Sequence, residues 1–197
     1  MSIVFVNYNQ KRVIPMKVDK KMQDGIWDWV KAIILALLLV LIIRFYVFIP
    51  LKVEGDSMSP TLAQGNYLLY ETFSDIDRFD IIIFSNEDGQ TLIKRVIGLP
   101  GDSISYSEDQ LYLNGEVIEE PFLGTEQQQG MDVFTSDFDL FSLTGVEIVP
   151  EDSYFVLGDN RVRSRDSRIF GFVPQADIAG KAAMVYFPFE DFGFIEN

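Results

Sequence analysis

The sequence predicts a mainly β fold: an antiparallel, barrel-like domain with a small inserted lobe, preceded by one N-terminal transmembrane helix. Two patterns in the chain of 197 residues indicate this class. Residues 32–51 are almost continuously apolar, which is typical of a helix that crosses a lipid bilayer. Downstream, short runs of β-branched and aromatic residues alternate with turn residues, and no long amphipathic helical pattern occurs, which favours a sheet.

The apolar segment is long enough for a membrane anchor, which we predict over residues 31–51. The twenty residues from Ala32 to Leu51 would form roughly 30 Å of helix. Arg44 lies near the far end, where its side chain can reach the interface. A cleaved secretion signal is the alternative, but the apolar run is too long for one, and no small-x-small cleavage site follows in residues 48–54. We therefore expect a retained anchor.

Charge predicts the orientation of this anchor. Residues 1–31 contain six basic and three acidic side chains, and a basic flank stays in the cytosol. We therefore expect a cytosolic tail over 1–30, an extracytoplasmic domain over 52–190 and a short C-terminal tail over 191–197. Beyond residue 31 the chain has ten basic and twenty-seven acidic residues, which argues against a nucleic-acid partner.

The extracytoplasmic part contains seven runs with strong strand character. They are residues 67–70, 80–84, 91–97, 103–106, 111–113, 154–157 and 183–187. Asn114-Gly115 separates 111–113 from 116–118 and is a hairpin signal, because both residues tolerate the positive φ of a tight turn. Residues 124–140 have the composition of a loop. We expect residues 101–150 to form the smaller inserted lobe.

The absence of histidine and cysteine limits the chemistry available to this chain. Zinc sites and redox dithiols need imidazole or thiolate, and no acidic cluster has the spacing of a calcium loop, so we expect no metal and no cofactor. A serine nucleophile would need a neutral lysine or a carboxylate as its base. Ser57 lies in the turn-like run 55–60, and Lys94 lies in an apolar strand that would lower a lysine pKa. Ser57 could also be a turn residue, and Lys94 an edge residue that reaches water.

Four blocks of the chain together resemble the conserved blocks of bacterial type I signal peptidases. Their order and spacing also fit, and the single anchor is similar to that of the smaller Gram-positive members. The blocks are residues 57–62, 78–84, 94–102 and 158–168.

The resemblance implies a role for several individual residues. It makes Ser57 the nucleophile, Lys94 the general base and Ser164 the hydroxyl that orients the lysine. Four further residues are implied to hold the site together rather than to react: Asp80, Asp159, Asp166 and Arg168.

The residues near the nucleophile raise three further expectations. Some family members carry an oxyanion-stabilising hydroxyl where this chain has Gly55, so the Ser57 amide is expected to be one donor and the second is open. Met58 could line the substrate pocket or pack at its rim. The arginines of the last block are expected to pair with neighbours such as Asp159 and Asp166; they are residues 161, 163, 165 and 168.

The resemblance implies a membrane-anchored serine endopeptidase that removes signal peptides from secreted preproteins. Its expected partners are those preproteins, the lipid bilayer and a nearby secretion translocon, at a cell membrane crossed once. Two other classes stay open. A non-catalytic relative could act as an assembly factor for surface structures, although it would be expected to lack Ser57 or Lys94. A self-cleaving Ser-Lys repressor would need a DNA-binding domain and no anchor.

Overall fold

The computed structural model describes residues 20–86, 88–124 and 134–195. The chain divides into two compact units, residues 1–42 and residues 43–197. Helix α1 spans Lys20–Val47 and is followed directly by the first strand. Residues 1–19 of the predicted cytosolic tail lie outside the described residues.

Among the residues that the structure describes, no helix is both long and apolar enough to span a membrane.

The second unit is built almost entirely from short strands. The strands are β1 Phe48–Lys52, β2 Tyr67–Glu71, β3 Ile81–Ser85, β4 Thr91–Gly98, β5 Ile104–Ser107, β6 Gln110–Leu113, β7 Glu116–Ile118, β8 Phe138–Asp139, β9 Ser153–Leu157, β10 Val173–Pro174, β11 Ile178–Phe187 and β12 Gly193–Phe194. The two short helices between them are α2 Leu140–Thr144 and α3 Ser167–Phe170.

These strands form two antiparallel sheets. The larger has the order β1-β2-β11-β3-β4-β9-β10, with β12 beside β11, and the smaller has the order β7-β6-β5-β8. Every described strand pair is antiparallel. The predicted mainly β, antiparallel class is therefore confirmed. The smaller sheet falls within the segment 101–150 that was predicted as an inserted lobe.

The sequence prediction was wrong about where the first helix ends. Residues 48–51 were assigned to the anchor, but they form strand β1, in which Pro50 pairs with Leu69. Proline breaks a helix because it lacks an N–H, and it is tolerated in a strand at a sheet edge, which is where β1 lies.

The prediction of a loop over residues 124–140 was wrong for the last residues of that range. Residues 125–133 lie outside the described residues, while Phe138–Asp139 form strand β8 and Leu140 begins helix α2. The Asp139 side chain caps this helix by accepting from the Ser142 amide at 2.8 Å. Asn114-Gly115 does form the expected hairpin turn, with φ of 54° and 83°.

Strand β4 sends successive side chains to opposite sides of the larger sheet. Ile93 packs with Val53 and Met58 in one buried cluster. Leu92 and Val96 belong to the cluster on the other side. Lys94 lies between Ile93 and Arg95 in the buried stretch of this strand and is itself buried.

Candidate active site

Ser57 and Lys94, thirty-seven residues apart in sequence, are in hydrogen-bond contact. The Lys94 Nζ donates to Ser57 Oγ at 2.8 Å. Strand β4 supplies the lysine, and the serine lies in a turn after β1 that is closed by the Ser59 amide donating to the Asp56 carbonyl at 3.1 Å. The structure therefore brings together the two residues that were predicted to react.

Burial makes Lys94 a base near neutral pH. The residue is only 3% exposed, and its Nζ also donates to the Ile93 carbonyl at 2.9 Å. Desolvation lowers the pKa of Lys94 from 10.5 to about 8, although the negative charges of Asp166 and Asp159 raise it and oppose part of this shift. At that pKa about a tenth of the amine is neutral at pH 7 and about half at pH 8, and the neutral amine can take a proton.

The loop after β9 is packed tightly against the nucleophile. The Asn160 amide donates to the Ser57 carbonyl at 3.0 Å. A Cβ added at Gly158 would lie 2.2 Å from Ser164 Oγ and 2.5 Å from the Ser57 carbonyl oxygen. Only glycine allows this approach. Gly158, the first residue of the last block, is therefore required because any side chain would clash, and not because of its backbone conformation.

Ser164 lies in this same loop, and its hydroxyl has an unusual environment. Within the described residues its Oγ is buried and makes no hydrogen bond, while Lys94 Nζ donates to Ser57 and Ile93. A buried hydroxyl without a partner carries a free-energy cost. The orienting role of Ser164 stays a prediction.

Asp159 is fully buried and paired with Arg95, a residue that the sequence reasoning did not single out. Arg95 Nε and Nη2 donate to the two carboxylate oxygens at 2.9 Å and 2.7 Å, and its guanidinium carbon lies 3.9 Å from the centre of the Phe122 ring. An arginine inside an apolar strand requires a buried anion. That signal was present in the sequence next to Lys94.

Asp166 forms hydrogen bonds at the end of the loop that leads into α3. It accepts from the Gly158 amide at 3.1 Å and from Arg168 Nε and Nη2, both at 2.8 Å. Through these bonds a buried carboxylate ties α3 to the glycine beside Ser57. Asp80 is also buried and forms an ion pair with Lys181 at 3.1 Å. All four residues predicted to hold the site together thus lie in buried or half-buried ion pairs.

The expected pairing of the remaining arginines was wrong. Arg161 is buried and pairs with Glu120, two residues beyond β7, instead of with a nearby aspartate. Arg163 forms an exposed pair with Asp56 at 3.3 Å. Arg165 forms no ion pair within the described residues, so of the four arginines Arg168 alone pairs there as expected, with Asp166. Asp159 is occupied by Arg95, and both Asp166 oxygens are taken by Arg168.

A groove of about 580 Å³ runs past the Ser57–Lys94 pair. It is lined by residues 51–55, 57–58 and 90–94. Met58 is 2% exposed and contributes to this lining, as does Gly55 with its φ of 82°. The two walls therefore come from the end of β1 with the turn after it, and from the first half of β4.

The chain is similar to characterised proteins over most of its length. The family described as "Signal peptidase, peptidase S26" matches residues 26–187. A "Signal peptidase I" of Bacillus caldolyticus is 44% identical over 184 residues, covering 91% of this chain and 99% of that protein. A "Signal peptidase I V" of Bacillus subtilis is 47% identical over 158 residues, covering 77% and 94%. The crystal structure of a signal peptidase I from Enterococcus faecalis is 45% identical, with a TM-score of 0.51 over 55% of this chain and 97% of that one.

Proposed function

The chain belongs to the signal peptidase family, peptidase S26, whose members are serine endopeptidases, and we propose that it cleaves preproteins with Ser57 as nucleophile and Lys94 as base. The observation that carries this assignment is the 2.8 Å contact between the serine hydroxyl and a buried lysine. The lysine replaces the histidine that the chain lacks.

The proposed mechanism follows from the transfer of the Ser57 hydroxyl proton to Lys94. Neutral Lys94 accepts the Ser57 hydroxyl proton as the oxygen attacks the scissile carbonyl carbon, and the resulting ammonium gives that proton to the leaving amine. An ester between Ser57 and the signal peptide remains. Lys94 is then neutral again and accepts a proton from a water molecule as the water oxygen attacks the ester carbonyl. The ester bond to Ser57 breaks, and the Lys94 ammonium returns the proton to the Ser57 oxygen. The Ser57 amide is one oxyanion donor in this proposal, and the second is a backbone N–H or a water.

The sheet edges suggest how the substrate binds. Within the described residues, positions 91–94 of β4 pair only with β3, and β1 is an edge strand whose other side faces no described strand. An extended peptide laid in the groove between these edges can hydrogen-bond to both and complete a barrel-like sheet. Small residues at the first and third positions before the cut, an Ala-x-Ala pattern, then fit against the buried side chains of Val53, Met58 and Ile93.

The N-terminal part supports a single-pass anchor at the cell membrane. Its apolar run from Ala32 to Ile43 and its basic flank favour insertion with the N-terminus in the cytosol and the peptidase domain outside. Such an anchor would keep the site near the bilayer and the translocon, where signal peptides emerge, and would raise their effective concentration.

The decisive experiment uses a fluorogenic peptide with an Ala-x-Ala site and the full-length protein in detergent. We expect the wild type to cleave after the second alanine, and Ser57→Ala to lose at least about 10³-fold in kcat/KM, since serine proteases that lack the nucleophile lose about that much or more. The matched control is Ser136→Ala, which changes an exposed serine and should be fully active.

Near-wild-type cleavage by Ser57→Ala, with an unchanged circular dichroism spectrum, would refute the nucleophile. No cleavage by the wild type would favour the non-catalytic assembly role instead. The contact between Ser57 and Lys94 argues against that second role, because a protein without activity has no need of a buried lysine at the serine.

A further inference from the structure

A second cavity of about 340 Å³ lies beside the substrate groove. Its apolar walls include Phe84, Leu92 and Val173, of which Phe84 and Val173 are each 2% exposed. Three exposed charged residues also line it: Asp88, Arg165 and Asp177. It contains neither Ser57 nor Lys94, and the chemistry proposed above leaves it unused.

This cavity and the groove are separated by one strand. Both are lined by Gln90, which directly precedes β4, and by Leu92, the second residue of that strand. This part of β4 has no described partner other than β3. The Leu92 side chain packs with the cluster that contains Phe84 and Val173. Ile93 packs on the opposite side with Val53 and Met58.

A peptide added along this edge alternates its side chains in the same way as β4. If the first and third residues before the cut face the Ile93 side, the second and fourth face the Leu92 side. Resting on the proposed function, we infer that the second cavity binds the side chains of the second and fourth substrate residues before the cut, and that it prefers a long side chain with an apolar stem and a cationic end.

The charges of the cavity determine this preference. Asp88 and Asp177 oppose a single Arg165, and no side chain of the three forms a hydrogen bond or ion pair within the described part of the chain. The protein as a whole carries a net charge of −14. Lysine or arginine can lay its methylene groups on Phe84 and Leu92 and place its charge at the acidic rim. A glutamate would meet two carboxylates there.

The turn between β3 and β4 holds one part of this rim in place. The Gln90 amide donates to Asn86 Oδ1 at 2.8 Å, and the Asn86 amide donates to the Gln90 carbonyl at 2.9 Å. The Gly89 amide donates to the Asn86 carbonyl at 2.9 Å, and Gly89 has a φ of 73°. Asp88 therefore lies directly before a residue, Gly89, whose amide is held by Asn86.

The test is a series of peptides that keep alanine at the first and third positions and vary the second and fourth, one at a time, through alanine, leucine, lysine and glutamate. For full-length wild type we expect kcat/KM to be about three- to tenfold higher for lysine than for glutamate at one or both positions, with most of the change in KM. An exposed ion pair contributes up to about tenfold. The preference should weaken in 1 M salt.

The double variant Asp88→Lys with Asp177→Lys should reverse the order of lysine and glutamate. Its matched control is Glu147→Lys with Glu151→Lys, which makes the same charge change at exposed residues outside the cavity and should keep the wild-type order. The alanine peptide should be cleaved comparably by wild type and the control double variant, since Glu147 and Glu151 line neither the cavity nor the groove. For the cavity variant, the order of the lysine and glutamate peptides is compared within that variant alone.

Three results would overturn the inference while leaving the proposed function intact. They are equal cleavage of all peptides, a preference based on size alone, and a charge preference that the control variant changes as much as the cavity variant does. Failure of wild type to cleave the alanine peptide would instead count against the proposed function itself.

Discussion

Lys94 shows, at the scale of one residue, how burial turns an ordinary side chain into a base. An exposed lysine is almost wholly charged at pH 7 and cannot accept a proton. Here the strand and the packed loop remove water from the ammonium, and the pKa falls to about 8. Asp166 and Asp159 limit the fall because their negative charges favour the cation.

The rate should therefore depend on pH through this lysine. Only neutral Lys94 can take the proton from Ser57, so kcat/KM should rise about tenfold per pH unit on the acid side and level off above a pKa of about 8. The chain has no histidine that could produce such a limb. A pH profile of the full-length enzyme from pH 5 to 10 measures it, and a flat profile would refute the lysine base.

The same pKa shift predicts that burying Lys94 lowers the free energy of unfolding. The pKa of Lys94 is 10.5 unfolded and about 8 folded, so the unfolded chain binds more protons between these values and wild-type stability should rise with pH across that window. At pH 7 the penalty is roughly 3 kcal/mol.

Lys94→Met should consequently be inactive and, at pH 7, more stable than wild type by up to about 3 kcal/mol. Urea unfolding at pH 7 and at pH 10.5 checks this, and the gain should shrink at the higher pH. A variant that is destabilised equally at both values would show that contacts of the lysine matter more than its charge.

The β6–β7 hairpin illustrates the next scale, that of an element specified by its own sequence. Asn114 and Gly115 both have positive φ, and the Asn114 side chain also accepts from the Ser103 amide and donates to Asp102, each at 2.9 Å. The turn thus joins the hairpin to the two residues that precede β5.

Gly115→Ala should destabilise the protein by about 1 kcal/mol, because a Cβ at a φ of 83° is strained. Nothing lies within 4 Å of that added Cβ, so the cost is one of backbone conformation alone. Gly193→Ala is the control, since its Cβ is also free of contacts and its φ is not positive. Equal melting temperatures for the two variants would contradict this account.

At the scale of the whole molecule, two buried arginines connect distant parts of the chain to the site. Arg95 on β4 binds Asp159 in the loop beside Ser57. Arg161 in that loop binds Tyr106 on β5 of the smaller sheet, and Glu120 just after β7. Arg161 Nε also donates to the Gly158 carbonyl at 3.1 Å. Both sheets therefore hold the loop that packs on the nucleophile.

Asp159→Ala should cost about 3–5 kcal/mol of stability, because it leaves the fully buried Arg95 without its counter-charge. Arg163→Ala removes the exposed pair with Asp56 and should cost less than about 1 kcal/mol. Urea denaturation of both variants tests the contrast. If the two losses were similar, the buried pair would not be holding the loop.

The sequence by itself determined what depends on local pattern. The sequence predicted the antiparallel strands, the Asn114-Gly115 turn and a lysine, Lys94, within an apolar strand. These features depend on side-chain alternation, turn conformation and residue type, which act over a few neighbouring positions. The four blocks also identified Ser57 and Lys94 as candidates, since the order and spacing of short motifs can be read directly.

Only the tertiary structure decided which of these residues meet. Arg95 pairs with Asp159 and Arg161 with Glu120 across separations of 64 and 41 residues, and nothing in the local sequence distinguishes these partners from nearer carboxylates. The end of helix α1 was misassigned because the apolar residues 48–51 suit both a helix and an edge strand, and pairing with β2 resolves the choice. The low pKa of Lys94 and the cavity beside Leu92 likewise exist only in the folded chain, because packing removes water from the ammonium and leaves a space next to the start of β4.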